Sequence, residues 1–375
     1  MKLTNNQHPW FIKLESELKT LGGGFNAHLH LDRADTLDDF YLNHVDLQPL
    51  EKSYISLQKK HNLINDLHSG PAYDRNDLEE RVNRNLDLMI ECGTKRADTM
   101  VDVTADRVQL SALQTLMDIK ENRKHEIDLR LASYSPLGFI DSQPERWEIY
   151  SEGAKMADFI GHLPEADDKD DYPDHIGFDE SCFRVLSLAK ELNKMVHFHT
   201  DQRNLDSESG TERVADAVEK HGSPSSKDGS PMIWVVHAIS PSTYTEERFD
   251  RLTRKLVEQN IGVICCPTAA LGMRQIRKHY SPTYNSIPRV LEFLKAGVHV
   301  RIGSDNIGDI CSPSTTASLI DEVYVLSAAL RFYHPAILAK LAAGIKIDDK
   351  DRDFVSAHLE ENEKAMEKAY RHYVE

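Results

Sequence analysis

The chain has 375 residues, 40% of them hydrophobic and 28% charged, so it can bury a large core and is neither collagen-like nor of low complexity. Its 61 acidic against 45 Lys and Arg side chains give a formal net charge of -16, which disfavours nucleic acid and anionic membranes as partners. The first residues lack the apolar stretch of a secretory signal, and no apolar run reaches the roughly 18 residues of a membrane span. The five cysteines form no CxxC pair, so we expect a reduced, cytoplasmic protein.

Short β-rich runs alternate with longer helical patterns along most of the chain. Several runs are almost continuously apolar, which is typical of parallel strands buried on both faces. The predicted strands are residues 24–31, 99–104, 128–135, 158–163, 195–200, 232–239, 262–267 and 298–304. The predicted helices are residues 78–91, 111–120, 180–193, 212–220, 247–260 and 287–296. The alternation favours an α/β fold, a closed (β/α)8 TIM-type barrel, with a doubly wound open sheet as the alternative.

The rest of the chain predicts helices only. Residues 319–331, 335–343 and 351–373 have apolar side chains at a spacing of three to four, and the long segment 32–97 is expected to carry extra helices. No second β-rich region is present, so no flanking β-sandwich is expected. We therefore predict one domain over residues 1–375, with C-terminal helices from about 315–375 packed on the barrel.

Histidines and one aspartate stand where four of the predicted strands end. His28 and His30 close the first strand, His199 the fifth and His237 the sixth, and Asp305 follows the eighth. Residues i and i+2 of a strand point the same way, and the carboxyl ends of barrel strands meet at one rim. Imidazoles and a carboxylate are the ligands of catalytic divalent metal sites. The pattern therefore favours a metal site over a set of separate core histidines.

This ordered set resembles the amidohydrolase superfamily of metal-dependent barrel hydrolases, and finer motifs resemble its cytosine deaminase branch. Residues 28–34, with the sequence HLHLDRA, are similar to the HxHLDKA motif of that branch, and residues 156–164 are similar to its GADVVGxxP motif. Residues 266–274 resemble its loop after the seventh strand.

The resemblance implies a ligand set and two catalytic roles. His28, His30, His199 and Asp305 would hold one divalent metal, iron or zinc in that branch, and the ligand types would also accommodate manganese. His237 would orient the attacking water, and Asp305 would carry its proton to the leaving group. His197, which faces the same way as His199, is interpreted as an interior histidine below the site.

Departures from that branch decide the predicted reaction. Its fifth-strand motif carries a Glu that shuttles protons, whereas this chain has Gln202, whose amide cannot move a proton at neutral pH. We therefore expect an amidohydrolase that cleaves a C–N bond of a small molecule (amide, lactam or amidine), with Asp305 as the one proton carrier. One alternative is a deaminase of an aminated heterocycle that uses Asp201 or Glu165 instead of the missing Glu. The other is a metal-binding barrel without catalysis.

The loops that follow the strands supply candidates for binding a small-molecule substrate. Arg274 could clamp a substrate carboxylate or pair on the surface with an acidic neighbour. Asp309 could contact a substrate amine or cap a helix that begins near residue 313. The predicted substrate-binding residues are Tyr134, Gln202, Arg274, Asn306 and Asp309. The helical outer face of a barrel is compatible with a homo-oligomer.

Overall fold

Eight parallel strands follow one another around a barrel in the computed structural model, which describes residues 8–42, 63–273 and 286–370. The strands are β1 (Gly24–Leu29), β2 (Thr94–Asp102), β3 (Asp128–Tyr134), β4 (Phe159–His162), β5 (Val196–Thr200), β6 (Ile233–His237), β7 (Ile261–Cys265) and β8 (Val300–Ile302). The ends of β1 and β8 are joined because the Asp305 N–H donates to the His28 carbonyl at 2.9 Å and the His30 N–H donates to the Asp305 carbonyl at 3.1 Å. The predicted (β/α)8 barrel is confirmed, and the open sheet is not formed.

Helices surround the sheet and connect its strands. They are α1 (Pro9–Thr20), α2 (Asp39–Leu42), α3 (Ile64–Ser69), α4 (Arg75–Glu91), α5 (Ser111–Arg123), α6 (Glu145–Met156), α7 (Phe178–Leu192), α8 (Gly210–His221), α9 (Glu246–Glu258), α10 (Pro267–Gly272), α11 (Val290–Ala296), α12 (Leu319–Leu330), α13 (Pro335–Ala342) and α14 (Asp349–Tyr370). The described residues contain no helix that is both long enough and apolar enough to span a bilayer.

The strands form at the predicted positions, and the main difference is at β2. This strand begins at Thr94 rather than at residue 99, because Arg96 and Asp98 interrupt the apolar run that reveals a strand in a sequence. In the fold Asp98 is fully buried and its carboxylate is bonded to Arg130 on β3, so a charged pair occupies a position that the hydrophobic pattern excludes.

The amino-terminal helix α1 also lies outside the predicted elements. It buries only Phe11, Leu14 and Leu18, a pattern too sparse to stand out in the sequence, and it packs against α13.

The C-terminal helices contact the barrel and each other where the structure describes them. Helices α12 and α13 contact both β1 and β8, and α14 contacts α11 and buries Val355. They cover the seam where the barrel closes. That residues 1–375 form one domain stays a prediction.

The interior of the barrel has two chemically different ends. Apolar side chains such as Phe25, Met100, Phe159 and Trp234 fill its amino-terminal half and middle. Near the carboxyl ends of the strands, this packing gives way to the histidines and carboxylates that the sequence placed there. The apolar layer therefore forms the floor beneath them.

Candidate metal centre and active site

The seam between β1 and β8 places the first ligand pair. The Asn26 amide group on β1 donates to the Ser304 hydroxyl at 2.8 Å, and its oxygen accepts the Ser304 N–H at 3.0 Å. These bonds lock the residue before Asp305 beside the strand that carries His28. The Asp305 carboxylate is thereby held against the HxH pair by backbone and side chain together.

Gly303 allows this close approach. A Cβ atom at this position would lie 2.7 Å from the His28 carbonyl oxygen and 2.8 Å from its nitrogen, both of them backbone atoms. Real Cβ atoms do not come so near, so a side chain here would push β8 away from β1. The glycine therefore sets the spacing between His28 and Asp305.

Four side chains from three strands converge at the carboxyl end of the barrel. The Nε2 atoms of His28 and His30 lie 3.6 and 3.3 Å from Asp305 Oδ1. With His199 they form a group whose ligand atoms all lie within 4.8 Å of one another, and every member is buried. Asp305 has a φ of 61°, an uncommon backbone conformation that costs energy and is often found at functional sites.

The donor set fits a divalent metal. His199 donates from Nδ1 to the His162 carbonyl at 3.1 Å, which leaves a lone pair on Nε2. The Nε2 atoms of His28 and His199 are buried and have no hydrogen-bond partner among the described residues. Buried polar atoms without partners are costly, and a shared cation would satisfy both nitrogens.

Burial sets the charge states in this group. It lowers the pKa of His30 to about 3, with the Arg33 guanidinium adding to the effect. Burial and the neighbouring imidazoles of His28 and His30 likewise hold the pKa of His199 well below its usual range. Burial alone would raise the pKa of Asp305, but the adjacent His28 and His30 bring it well below its usual range. Neutral imidazoles and an ionised carboxylate are the states that bind metal ions.

His237 lies beside the group of four and is not part of it. Its Nε2 atom is 3.9 Å from Asp305 Oδ2, and its ring centre is 5.6 Å from that of His199. Burial lowers its pKa to about 4. His237 has a φ of 77° and Ala238 a φ of 47°, so the chain turns sharply where β6 ends. This turn directs the ring toward the free oxygen of Asp305.

His197 lies deeper in the barrel, below these residues. Its ring centre is 4.7 Å from that of Phe159 and 5.9 Å from that of His28, and the side chain is fully buried. Its position agrees with the predicted interior histidine.

A small cavity opens over the histidines. The predicted residues among its walls are His30, Tyr134, His199, Gln202, His237, Asp305 and Asn306. Residues that the sequence analysis did not assign to the substrate site also line it, namely Arg33, Leu163, Met273, Cys311 and Ser312. Arg33 follows His30 by three residues, and this closeness to a predicted ligand is the sequence signal that could have identified it as a wall residue.

One predicted substrate contact, Asp309, is engaged elsewhere, and another is not described. Asp309 is fully buried and accepts the Cys311 N–H at 2.8 Å, the Ser312 N–H at 3.0 Å and the Asn306 amide at 2.5 Å. It organises the loop after β8 rather than capping a helix near residue 313, since the next helix begins at Leu319. Arg274 lies outside the described residues.

The carboxylates near Gln202 have separate tasks. Asp201 accepts the N–H groups of Gly210 at 2.7 Å and Thr211 at 2.8 Å, so it is directed to the start of α8. Glu165 accepts the Asp201 N–H at 2.7 Å and the Gln202 amide group at 3.0 Å. Burial raises the pKa of Glu165 to about 8, with Glu208 and Asp201 adding to the effect. Because the Gln202 amide nitrogen donates to Glu165, the Gln202 amide oxygen remains available to accept a hydrogen bond from another group.

Behind His30 the chain buries a second charged network. The Arg33 guanidinium is 2.5 Å from His30 Nδ1 and 3.8 Å from the Asp102 carboxylate, which also contacts His68 at 2.9 Å and Tyr73 at 2.8 Å. His30, Asp32 and Asp102 are a second group of close ligand atoms. Arg33 supplies the positive charge there. Through Arg33, which also lines the cavity, the network holds the His30 ring at its Nδ1 atom.

Comparison with known proteins agrees with this architecture. No family model matches the chain. An uncharacterized protein of Haemophilus influenzae is 29% identical over 281 residues, which cover 73% of this chain and 91% of that protein.

Three solved structures show how widely the fold is shared. A 5-methylcytosine deaminase from Klebsiella pneumoniae, liganded with 5-fluorocytosine, has a TM-score of 0.71 and 20% identity, over 85% of this chain and 72% of that chain. An N-isopropylammelide isopropylaminohydrolase from Burkholderia multivorans has a TM-score of 0.61 and 17% identity, over 90% and 82% of the two chains. A guanine deaminase from C. acetobutylicum has a TM-score of 0.51 and 13% identity, over 86% and 72%. At such identities the similarity establishes the fold.

Proposed function

We propose that this protein is a metal-dependent hydrolase that cleaves a carbon–nitrogen bond of a small molecule at the carboxyl end of its barrel. The observation that carries the proposal is the buried group of His28, His30, His199 and Asp305, whose ligand atoms lie within 4.8 Å of one another. Zinc and iron are the first candidates, and manganese suits the same ligand types. A divalent ion bound there supplies a Lewis acid that makes water nucleophilic at neutral pH.

Asp305 is the proposed proton carrier. Its Oδ1 atom is directed to His28 and His30, whereas Oδ2 lies 3.9 Å from His237 Nε2. An ionised carboxylate in this position accepts a proton from the attacking water and returns it to the leaving nitrogen, so one group serves as base and then as acid. His237, which is neutral and on the far side of that carboxylate, stabilises the oxyanion that develops on the substrate.

The cavity walls suit a small substrate that carries a hydrogen-bond donor. Glu165 fixes the Gln202 amide, so that its oxygen can accept a bond from a substrate N–H group. Tyr134 and Asn306 line the same space, and Arg274 stays a predicted partner of a substrate carboxylate. The names of the structurally similar enzymes, deaminases of cytosine and guanine and an aminohydrolase, support a small nitrogen-containing substrate. We place the protein in the cytoplasm, as its cysteine pattern predicts.

A metal and turnover assay on the full chain tests the proposal. The purified protein is analysed for bound metal and incubated with lactams, cyclic amidines and aminated heterocycles, with mass spectrometry for ring opening and an enzymatic assay for ammonia. We expect about one metal per chain and hydrolysis in the first two groups. Asp305→Asn should lower kcat by about 10²- to 10⁴-fold. Retained turnover at unchanged metal content would exclude Asp305 as proton carrier, and metal without any turnover would favour a non-catalytic barrel.

Deamination of an aminated heterocycle is the second candidate, and the position of Glu165 favours it. This carboxyl group lies 3.0 Å from the Gln202 amide nitrogen, and its pKa of about 8 lets it hold or release a proton near neutrality. Ammonia release without ring opening is the expected product pattern. Glu165→Gln should then abolish turnover, while Asp201→Asn, at a residue occupied with α8, should retain it. Equal effects of both variants would argue against Glu165.

A further inference from the structure

The amino-terminal end of the barrel holds an unusual group of cations, far from the proposed active site along the strands. Arg96 is the third residue of β2, Arg130 the third of β3 and Arg301 the second of β8. We name Arg96, Arg130 and Arg301 the arginine cluster. Arg96 and Arg301 both lie over the ring of Phe25, at 4.1 and 5.1 Å from its centre. Since Phe25 belongs to the barrel interior, the cluster lies inside the amino-terminal mouth of the barrel.

Arg301 is the member of the cluster without a counter-ion. Only 8% of it is exposed, and its guanidinium forms no hydrogen bond or ion pair with any residue that the structure describes. It stacks on Trp234 at 3.9 Å, and Gly262 leaves room for that indole, since a Cβ atom there would meet the ring at 2.4 Å. Burying an unpaired charge is expensive, so a guanidinium with free donors in an aromatic pocket calls for an acceptor.

The neighbouring carboxylates are already engaged. Asp98, fully buried, accepts from Arg130 Nε at 2.8 Å, and Arg96 Nε lies 3.7 Å from both Asp98 and the exposed Asp128. Three guanidinium groups therefore face two carboxylates, and Arg301 is left with a surplus charge. Burial, with Arg96 and Arg130, lowers the pKa of Arg301 to about 9 even though Asp98 opposes this.

No other described group near Arg301 supplies a negative charge at close range. The His299 ring meets Trp234 edge-to-face, with ring centres 5.0 Å apart, and bonds to the Gly344 carbonyl at 3.1 Å. Burial and Arg301 lower its pKa to about 3, so the ring is neutral, and Lys346 beside it adds a further positive charge. Asp228 acts on Arg301 only from an exposed position. The local field therefore favours an anion.

We propose that the arginine cluster binds a small oxyanion of the phosphate class at the amino-terminal mouth of the barrel, with Arg301 as its buried partner. The fork of N–H donors on a guanidinium matches the oxygens of phosphate. The positive charge of several arginines is better balanced by a dianion than by a monocarboxylate. Arg96 and Arg130 are 34% and 27% exposed at their side chains, so two members of the cluster reach solvent. The site is independent of the proposed hydrolysis, since it shares no residue with it.

Thermal unfolding of the full chain, as purified with its metal, tests the site without a known substrate. A ligand that binds only the folded state raises Tm as its concentration increases. Inorganic phosphate is titrated against potassium chloride of equal ionic strength, and glycerol 3-phosphate is titrated in parallel. We expect phosphate, but not chloride, to raise the Tm of the wild type. An equal response to glycerol 3-phosphate would indicate a phosphate ester as the natural ligand, and a response to phosphate alone would indicate the free anion.

Two variants locate the effect. Arg301→Met keeps an unbranched apolar chain against Trp234 and should abolish the phosphate response, whereas Arg251→Met, at an exposed position on α9, should retain it. Arg96→Met should raise by about tenfold the phosphate concentration that produces a given increase in Tm. This variant is used in place of Arg301→Met if the latter does not fold. The proposal is overturned if phosphate stabilises the wild type no more than chloride does. It is equally overturned if Arg301→Met, or Arg96→Met in its place, responds like the wild type, because the anion would then bind elsewhere.

Discussion

The two ends of the barrel are built from the same eight strands but collect opposite charges. At the carboxyl end, burial keeps the imidazoles of His30 and His199 neutral, and the adjacent His28 and His30 keep Asp305 ionised against the effect of burial, so the group attracts a cation. At the amino end, Arg301 lies buried beside Arg96 with no counter-ion among the described residues. Residues separated by only a few positions along a parallel strand therefore lie in different chemical environments. The difference also predicts that changes at one end alter metal binding and those at the other alter stability.

The largest expected effect is at the carboxyl end. His199→Asn should remove the bound metal and with it all hydrolysis, because the group loses one of four ligands. His197→Asn changes the same residue type two positions earlier on β5 and is the matched control. It should retain the metal even if it unfolds at a lower temperature. Metal analysis of both proteins decides the question, and equal metal loss would mean that His197 is also a ligand.

At the amino end, the same kind of change should affect folding instead. Asp98→Asn leaves Arg130 and Arg96 without their buried carboxylate, so we expect the free energy of unfolding to fall by about 3 kcal/mol. Asp128→Asn removes an exposed partner of Arg96 and should cost under about 1 kcal/mol. Urea denaturation measures both variants. Loss of bound metal in folded Asp98→Asn would contradict the independence of the two ends.

A change at the seam between β1 and β8 should alter both the stability of the fold and the binding of metal. A methyl group on Gly303 would meet the His28 backbone at 2.7 Å, so Gly303→Ala should destabilise the fold by about 1–3 kcal/mol and weaken metal binding. Gly272→Ala is the control, because a Cβ atom there meets no described atom within 4 Å. Denaturation and metal titration of the two proteins compare them directly. A neutral Gly303→Ala would show that the strands can separate without disturbing the ligands.

A further effect concerns the dependence of stability on pH. Glu322 on α12 is buried and accepts the Thr268 N–H at 2.9 Å, and burial raises its pKa to about 8. The folded state thus holds a proton that the unfolded chain releases near pH 4.5, so stability should fall as pH rises from about 4.5 to 8. Glu322→Gln should flatten this decline, which for a pKa raised from 4.5 to about 8 amounts to at most about 5 kcal/mol across the range. Denaturation midpoints across that pH range provide the measurement, and an unchanged slope would contradict the assignment.

Strand periodicity explains how much of the site could be predicted from the sequence. The HxH spacing places His28 and His30 on one face, and parallel strands in a closed barrel bring their carboxyl ends to one rim. The gathering of these residues with His199 and Asp305 follows from these two rules. The interior position of His197 follows from the same alternation.

The alternation of strands and helices in the sequence left a barrel and an open sheet as candidates, and the ligand group was implied by the resemblance of the strand-end motifs to a known superfamily. The three-dimensional fold shows that the barrel closes and which polar side chains are already engaged. Asp201 is occupied with the start of α8, Glu165 holds Gln202, and Asp309 binds its own loop. It also shows that Arg301 lies against Trp234 and has no counter-ion in the part of the chain that the structure describes. The physical reason is that a hydrogen bond or an unpaired charge depends on partners distant in sequence, which register and packing bring together.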